Sequence, residues 1–594
     1  MLCSLTFLMA VSCETTEDTD NNASAETYVL KDVSVYRENS KPDKTMPIRF
    51  YSETPNVPYV GIIQYFKEFY NTDLTLAQVN GFNVFSKGNK EYIKVNAKDD
   101  ILGIKDTFEL GHHPDFKENT DKTYLHLDSQ MQTSSYYKLI DLTKYEIKTY
   151  SDSSDSYIPF GMLNNLYGGI EGYNIGYNGN DIYVLDFYGE LNNGEARGDE
   201  YFADSYYNYM TKDEPRKADL AKYSYNQLCF SFDNLRGYTT QLVFGDNNLV
   251  SLGLNTLLEQ YYPGIKKLLL STNKSDFEKG FLLLIGGLSD GGHTGPLSKN
   301  PPTMSYLEDM AKEGEFKDFI NKFLTAASAS TDKKAVLANA RNASFGPDFE
   351  IGSYFYYKYD EATKTAYIGF DGFLYDTGNW DKYYKGDTTV LESMENEFSS
   401  KDTYAFVRKS LYNAQKDGAV NVVLDVSTNG GGSADALSGV FALFNGGKSN
   451  YYINDTISQF RQVKSFSIDV NLDGKYDEED VKEINKFKFN YVVVSSSATF
   501  SSGNLFVSLM KEKGYKTVGE KSGGGSCAVV NEETAEGFIY RRSGYLCLCN
   551  VKGDNIDSGI DVDLYLVETV DNTKNYNKFY NFKVMADYIS SLNK

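Results

Sequence analysis

The sequence predicts a multidomain α/β and α+β protein. Its C-terminal part is expected to be a mostly parallel sheet covered by helices, preceded by a helix-rich subdomain and an N-terminal mixed domain. Three observations carry this reading. From about residue 350, short β-branched runs ("TKTAYIGFDGFL", "NVVLDVS", "NYVVVSS", "YKTVGE") alternate with helical stretches such as "AFVRKSLYNAQKDG" and "LFVSLMKEKG". Alternation at this spacing is how buried parallel strands are joined. Between 151 and 345 the spacing is helical, with "LNTLLEQYYPGIKKLLL" and "DFEKGFLLLIGGLSD" placing Leu, Phe and Ile on one face. From 41 to 150, short strand-like runs alternate with polar turns, the mark of a mixed α+β domain. A chain of 594 residues exceeds what one core can enclose, which agrees with several units.

The start, "MLCSLTFLMAVSCETTEDTDNNASAET", sets an apolar run from Leu2 to Val11 before Ser-Cys and then an acidic stretch. The run is too short to span a bilayer and fits the apolar part of a signal peptide. "LMAVSC" resembles the lipobox of bacterial lipoproteins, which implies residues 1–13 as signal peptide and Cys13 as a lipidated anchor. A plain secretory signal is the alternative, and either reading takes the protein out of the cytosol to the cell envelope or surface. Residues 14–40 are polar and acidic, a tether rather than a fold. The remaining units are 41–150, 151–345 and 346–594.

Acidic side chains number 82 against 59 basic ones, a net charge of −23. Phosphate backbones reward clustered Lys and Arg, so this balance argues against a nucleic-acid partner. Only four histidines occur, at 112, 113, 126 and 293, which limits imidazole chemistry to few candidates. Past the leader the cysteines are Cys229, Cys527, Cys547 and Cys549, and no CxxC spacing suggests zinc. Four cysteines allow three full pairings, among which the sequence does not choose. Cys547 and Cys549, two apart, point to one face if "YLCLCN" is a strand.

Chemistry concentrates in three stretches. "VVVSSSATFSSGNLF" (492–506) reads as a buried strand, a turn and a helix. Thr499 to Ser502 therefore sit at a strand-to-helix turn, where a hydroxyl is presented beside helix N–H groups able to stabilise an oxyanion. "VVLDVSTNGGGSADAL" (422–437) is a strand, three glycines and a helix, and successive glycines let backbone N–H groups approach a reacting oxygen. "LLLIGGLSDGGHTGPL" (282–297) sets His293 in a glycine-rich turn, and histidine is the usual base for activating serine.

Together these stretches resemble the C-terminal processing peptidases and tricorn-core serine peptidases, over roughly residues 280 to 570. "LDVSTNGGGS" is similar to the family's Asn-x-Gly-Gly turn, with Ser427 where arginine is common. "TFSSGNLF" followed by "GYKTVGEKSGGG" is similar to its nucleophile turn, helix and Gly-Glu strand, with Asn504 where members commonly carry glutamate. The resemblance implies a ClpP/crotonase-like core, Ser501 as nucleophile, and an oxyanion hole from Gly431, Gly432 and the backbone N–H of Ser502. The processing-protease branch uses a lysine beyond the Gly-Glu pair. Here Gly523 to Gly525 fill that zone, and Lys521 is out of register. The histidine-using branch fits better, with His293 as base and Gly292 where that branch has serine. Its orienting acid falls in "NIDSGIDVDL", Asp557 first and Asp561 second. No PDZ-like segment lies between His293 and the core.

Residues 469–480, "DVNLDGKYDEED", carry oxygen ligands at the spacing of an EF-hand loop. Asp469, Asn471, Asp473, Asp477 and Asp480 are the side-chain donors, Lys475 supplies its carbonyl, and Gly474 takes the turn. Aspartate stands at the twelfth position, as in dockerin-like loops, and the expected cofactor is structural Ca2+ with no organic cofactor. The leading function is an exported, lipid-anchored serine endopeptidase acting on peptide or protein substrates. The alternatives are an inactive peptide- or ligand-binding member of the same fold, and a calcium-dependent surface adhesin.

Overall fold

The computed structural model describes residues 27–37, 41–111, 123–133, 136–168, 173–186, 214–237, 243–245, 248–290, 292–296, 310, 312, 314–346, 355–390, 401–570 and 573–592. The signal segment with Cys13, much of the tether and the stretch from 391 to 400 lie outside the described residues.

A six-stranded sheet forms the core of the C-terminal half. Its first four strands are β1 (Phe355–Asp360), β2 (Thr365–Phe370), β3 (Asn421–Asp425) and β4 (Asn490–Ser495). β5 (Lys516–Gly519) follows, then the hairpin of β6 (Cys527–Glu533) and β7 (Ile539–Cys549), then β8 (Leu564–Tyr565). The order β1-β2-β3-β4-β5-β8 is antiparallel at β1/β2 and parallel in every other pair. The central strands are buried on both faces, which is why "NVVLD" and "YVVVS" read as unbroken apolar runs instead of alternating. Five helices of this half matter below: α2 (Lys317–Phe345), α3 (Thr403–Asp417), α4 (Ala434–Ala442), α5 (Glu478–Ile484) and α6 (Ser502–Glu512); α1 (Lys274–Leu288) precedes them.

Local chemistry sets the helix ends. Asp402 caps α3 by accepting the Ala405 N–H at 2.9 Å, and also accepts the Trp380 indole N–H at 3.0 Å. Gly418, at φ 77°, closes the same helix in the left-handed conformation that glycine adopts without a Cβ penalty. From α2, Arg341 forks onto Asp371 through two 2.9 Å bonds and reaches Thr428 at 2.6 Å, tying the helix to the loop after β3.

A second six-stranded sheet runs Gly295–Pro296, β7, Lys448–Asp455, Arg461–Ile468, Leu125–Gln132, with β6 also paired to β7. One sheet thus joins the segment after His293, the C-terminal core and a strand from the N-terminal third. The N-terminal seven-stranded sheet includes Tyr28–Arg37 at one end of the sequence and Tyr173–Tyr177 and Ile182–Asp186 at the other. Two boundaries are therefore corrected. The tether does not reach residue 40, because Val33 and Val35 alternate into the core of that sheet, and the sheet continues across residue 150. Among the described residues, no helix is long and apolar enough to cross a membrane.

Candidate active site

Five hydroxyls of the 495–502 stretch are committed to holding the chain. Ser495 Oγ donates to the Glu520 carbonyl at 3.0 Å and Thr499 Oγ1 to the Val426 carbonyl at 2.6 Å. Ser496 Oγ donates to the Ser427 carbonyl, Ser497 Oγ to the Glu520 carboxylate at 2.6 Å, and Ser502 Oγ to the Gly432 carbonyl at 2.7 Å. Ser501 is the sixth, and its hydroxyl has no hydrogen-bond partner among the described residues. It is also the residue that departs from ordinary backbone geometry, with φ 56° and ψ −125° directly before α6. Its N–H donates to the Gly524 carbonyl at 2.9 Å, and the preceding Phe500 N–H to the Asn429 carbonyl at 2.9 Å. The two glycine-rich loops thus grip the turn from either side.

The glycines next to Ser501 have separate tasks. A Cβ on Gly431 would stand 2.6 Å from the Ser501 Cβ, and at φ 106° its backbone already excludes most side chains. The Gly431 N–H, however, donates to Asn429 Oδ1 at 2.9 Å and is not available to a reacting oxygen. This corrects the assignment of Gly431 as an oxyanion donor. Gly432, at φ 131°, forms a parallel bridge with Phe373 in which the Gly431 carbonyl and the Ser433 N–H make the bonds. That pattern leaves the Gly432 N–H without an acceptor among the described residues, and the Ser502 N–H, first in α6, is in the same position. Two unspent donors therefore flank Ser501, one from each loop, at a helix N-terminus whose dipole favours negative charge.

His293 lies against this turn. Its ring packs on Phe500 with centroids 4.9 Å apart, and a Cβ on Gly292 would come within 2.9 Å of the same ring, so a serine there would displace it. No hydrogen bond joins His293 to Ser501. The other side of the imidazole is fixed in detail. Ser543 of β7 donates its proton to Asp290 Oδ2 at 2.7 Å, and its oxygen lies 3.2 Å from His293 Nδ1. A hydroxyl has one proton, and an ionised carboxylate only accepts. The Ser543 oxygen therefore accepts from Nδ1–H, which leaves Nε2 with its lone pair. Asp290 also accepts the N–H groups of His293 and Thr294, each at 2.9 Å.

Burial pushes the His293 pKa below the ordinary value of 6.5; Asp290 opposes this and Arg541 adds to it. Burial acts to raise the Asp290 carboxyl, but His293 and hydrogen bonds from Thr294 and Ser543 hold it below its usual value. The pair is thus a neutral imidazole beside a carboxylate, the arrangement a general base needs.

Asp290 and Ser543, and not Asp557, stand beside the imidazole. The Asp557 carboxylate instead accepts the Ser526 N–H at 2.7 Å and the Cys527 thiol at 3.2 Å, and makes no contact with His293. Asp561 is exposed, its side chain 82% accessible, and lies 3.8 Å from Lys521. The Lys521 side chain is half-exposed. Asn504 braces the loops by donating to the Ile556 carbonyl at 2.9 Å and accepting from Ser522 at 2.6 Å. Asp290 carries a sequence signal: in "SDGGHT" it stands three and four residues before the two N–H groups it caps. Ser543 carried none, being 250 positions from the histidine it meets.

In the calcium-type loop the carboxylates hold the backbone. Asp469 accepts the N–H of Asp473 at 3.1 Å and of Gly474 at 2.7 Å, and Asn471 Oδ1 accepts the Asp473 N–H at 3.0 Å. Asp473 accepts from the Lys475 N–H at 2.9 Å. Asp477 caps α5, and Asp480 completes a capping box with it. Gly474 takes φ 83° at the turn. Asp469 is wholly buried and has the Tyr384 hydroxyl at 2.9 Å.

Because Gly431 makes room for the Ser501 side chain, Gly431→Ala is expected to abolish any reaction at Ser501 while the rest of the fold persists. The check is turnover measured beside a circular dichroism spectrum.

Residues 390–565 match the family model "Peptidase family S41". No curated protein matches the chain. Among solved structures, one from Parabacteroides merdae aligns at 17% identity over 50% of this chain and 76% of its own, with a TM-score of 0.30. A photosystem II D1 C-terminal processing protease aligns at 17% identity over 34% and 42%, with a TM-score of 0.23. Mature CPAF complexed with lactacystin aligns at 11% identity over 40% and 53%, with a TM-score of 0.24. The family match carries the assignment: residues 390–565, within the C-terminal core, are similar to peptidase family S41, and the match indicates a serine-type peptidase.

Proposed function

We propose that the chain is an exported serine endopeptidase in which Ser501 attacks the peptide carbonyl of a protein or peptide substrate. The observation that carries this is Ser501 itself: one uncommitted hydroxyl among six, held at φ 56° against a helix N-terminus. His293 Nε2 takes the serine proton as attack proceeds and later returns it to the leaving amine. Asp290, acting through Ser543, keeps the proton on Nδ1 and stabilises the imidazolium that forms. The N–H groups of Gly432 and Ser502 receive the charge developing on the carbonyl oxygen. The family's ClpP/crotonase-like arrangement is the fold we assign to this core, and lipidation at Cys13 is the anchor we assign to the leader.

Ser501→Ala is expected to eliminate peptide hydrolysis. His293→Ala should lower turnover by roughly 10²–10⁴-fold with little change in substrate affinity. In the wild type, kcat/KM should rise with pH through an apparent pKa below ~6.5, since burial favours the neutral imidazole. The sign is fixed: protonation below that pKa removes the base, so activity is lost toward acid and retained toward neutral pH. Full activity in His293→Ala, or a profile governed by a lysine-like pKa, would overturn the mechanism.

We also propose that residues 469–480 bind Ca2+ in a structural role, Asp469, Asn471, Asp473, Asp477 and Asp480 supplying side-chain oxygens and Lys475 its carbonyl. The turn at Gly474, the buried Asp469 and the helix starting after Asp477 support the reading. At a hundredfold excess over Kd, calcium would add about 2.7 kcal/mol to stability. The thermal midpoint of the wild type should therefore rise with calcium, and that of Asp473→Asn much less. An unchanged wild-type midpoint would remove the claim.

A further inference from the structure

Behind the nucleophile loop lies a cluster that the peptidase chemistry does not use. We propose that Cys527, Cys547 and Asp557 bind a thiophilic divalent cation of the zinc class, with Cys549 supplying the fourth donor. Cys527 and Cys547 are 1% and 2% exposed and Asp557 is 8% exposed. One ligand atom from each lies within 4.8 Å of the other two. Asp557 Oδ2 is 3.2 Å from Cys527 Sγ and 3.8 Å from Cys547 Sγ. With metal–sulfur bonds of 2.3 Å and metal–oxygen bonds of 2.0–2.2 Å, the sulfur–oxygen edge of a tetrahedron is about 3.5 Å, midway between these distances.

The strands explain why the donors converge. Cys527 and Cys547 are opposite each other on β6 and β7. The flanking Leu548 N–H bonds the Ser526 carbonyl at 2.9 Å, which makes the cysteines a non-hydrogen-bonded pair. Side chains approach most closely at such positions. Cys549, two residues along β7, shares the face of Cys547 and packs in the same small cluster. Asn454 Nδ2 lies 3.1 Å from its sulfur. On the far side a Cβ on Gly237 would meet Cys527 Sγ at 2.6 Å, so the pocket is closed.

Charge supplies a second, independent argument. The Asp557 carboxylate is buried and has no lysine or arginine partner among the described residues; its bonds come from Ser526 and the Cys527 thiol. A buried carboxylate without a cation is costly. A divalent ion held by this carboxylate, the Cys527 and Cys547 thiolates and the Cys549 sulfur gives the carboxylate its cation, and binding releases thiol protons to solvent. The enclosed donor set has no open position for substrate, so the role is structural. The ion would sit behind the strap that grips Ser501: Asp557 accepts the Gly525 N–H through its carbonyl at 3.2 Å, and Gly524 accepts the Ser501 N–H.

The test is cobalt titration of the full chain, reduced and stripped with chelator. Thiolate-to-cobalt charge-transfer absorbance should saturate at one equivalent and disappear on adding zinc. Cys547→Ser should lose the band, Asp557→Asn should weaken binding at least about tenfold, and Cys229→Ser should retain it. Ser501→Ala should also retain it, so the result is independent of peptidase activity. Absence of the band in folded, reduced wild type would overturn the proposal, whatever the variants do. So would a Cys527–Cys547 disulfide, found by peptide mapping of metal-free protein as purified.

Discussion

A serine held at φ 56°, ψ −125° is the constraint on which the rest of the site depends. A non-glycine residue in such a conformation costs on the order of 1–3 kcal/mol and persists only where its surroundings over-determine it. Here they do. Asn429 receives the Phe500 N–H, Gly524 receives the Ser501 N–H, and Gly431 leaves the space into which the side chain turns. With a Cβ at 431, or without the carbonyl at 524, the turn would relax into an ordinary helix cap with its hydroxyl spent on the backbone. The strain and the uncommitted hydroxyl are two aspects of one arrangement.

The loops that supply these contacts are themselves held from further out. Arg341 on α2 ties Asp371 and Thr428 together, and Ser427 meets the Tyr580 hydroxyl at 2.9 Å. The histidine comes from outside the core, and the sheet built around β7 delivers it: Gly295–Pro296 pairs with Arg541 and Tyr540, which sets Ser543 opposite the imidazole. A helix-rich region and a catalytic core separated by about 250 positions are thus registered against each other by one short strand.

Much of this was legible in the sequence because the informative residues are close together along the chain. "YVVVSSS" and "NVVLDVS" announce buried parallel strands, and each strand-to-helix turn carries its own glycines or serines. What was not legible depends on contacts between distant segments. Asp557 was the natural choice of acid within its motif, yet the tertiary arrangement gives its carboxylate to Ser526 and the cysteines. Gly431 and Gly432 are equivalent in a string of letters, and only the side chain of Asn429 distinguishes them. The strand Tyr28–Arg37 was hidden by the acidic composition around it, although Val33 and Val35 alternate as the buried face of a strand should.

The central claim is that Ser501 is the reactive hydroxyl of this chain because the fold leaves it, and no neighbour, free to react. Labelling the folded protein with a fluorophosphonate and mapping the adduct by mass spectrometry tests this without knowledge of the substrate. The account predicts a single adduct on Ser501, which disappears in Ser501→Ala and slows sharply in His293→Ala. An adduct on Ser495, Ser496, Ser497 or Ser502, or none on a protein shown to be folded, would contradict it.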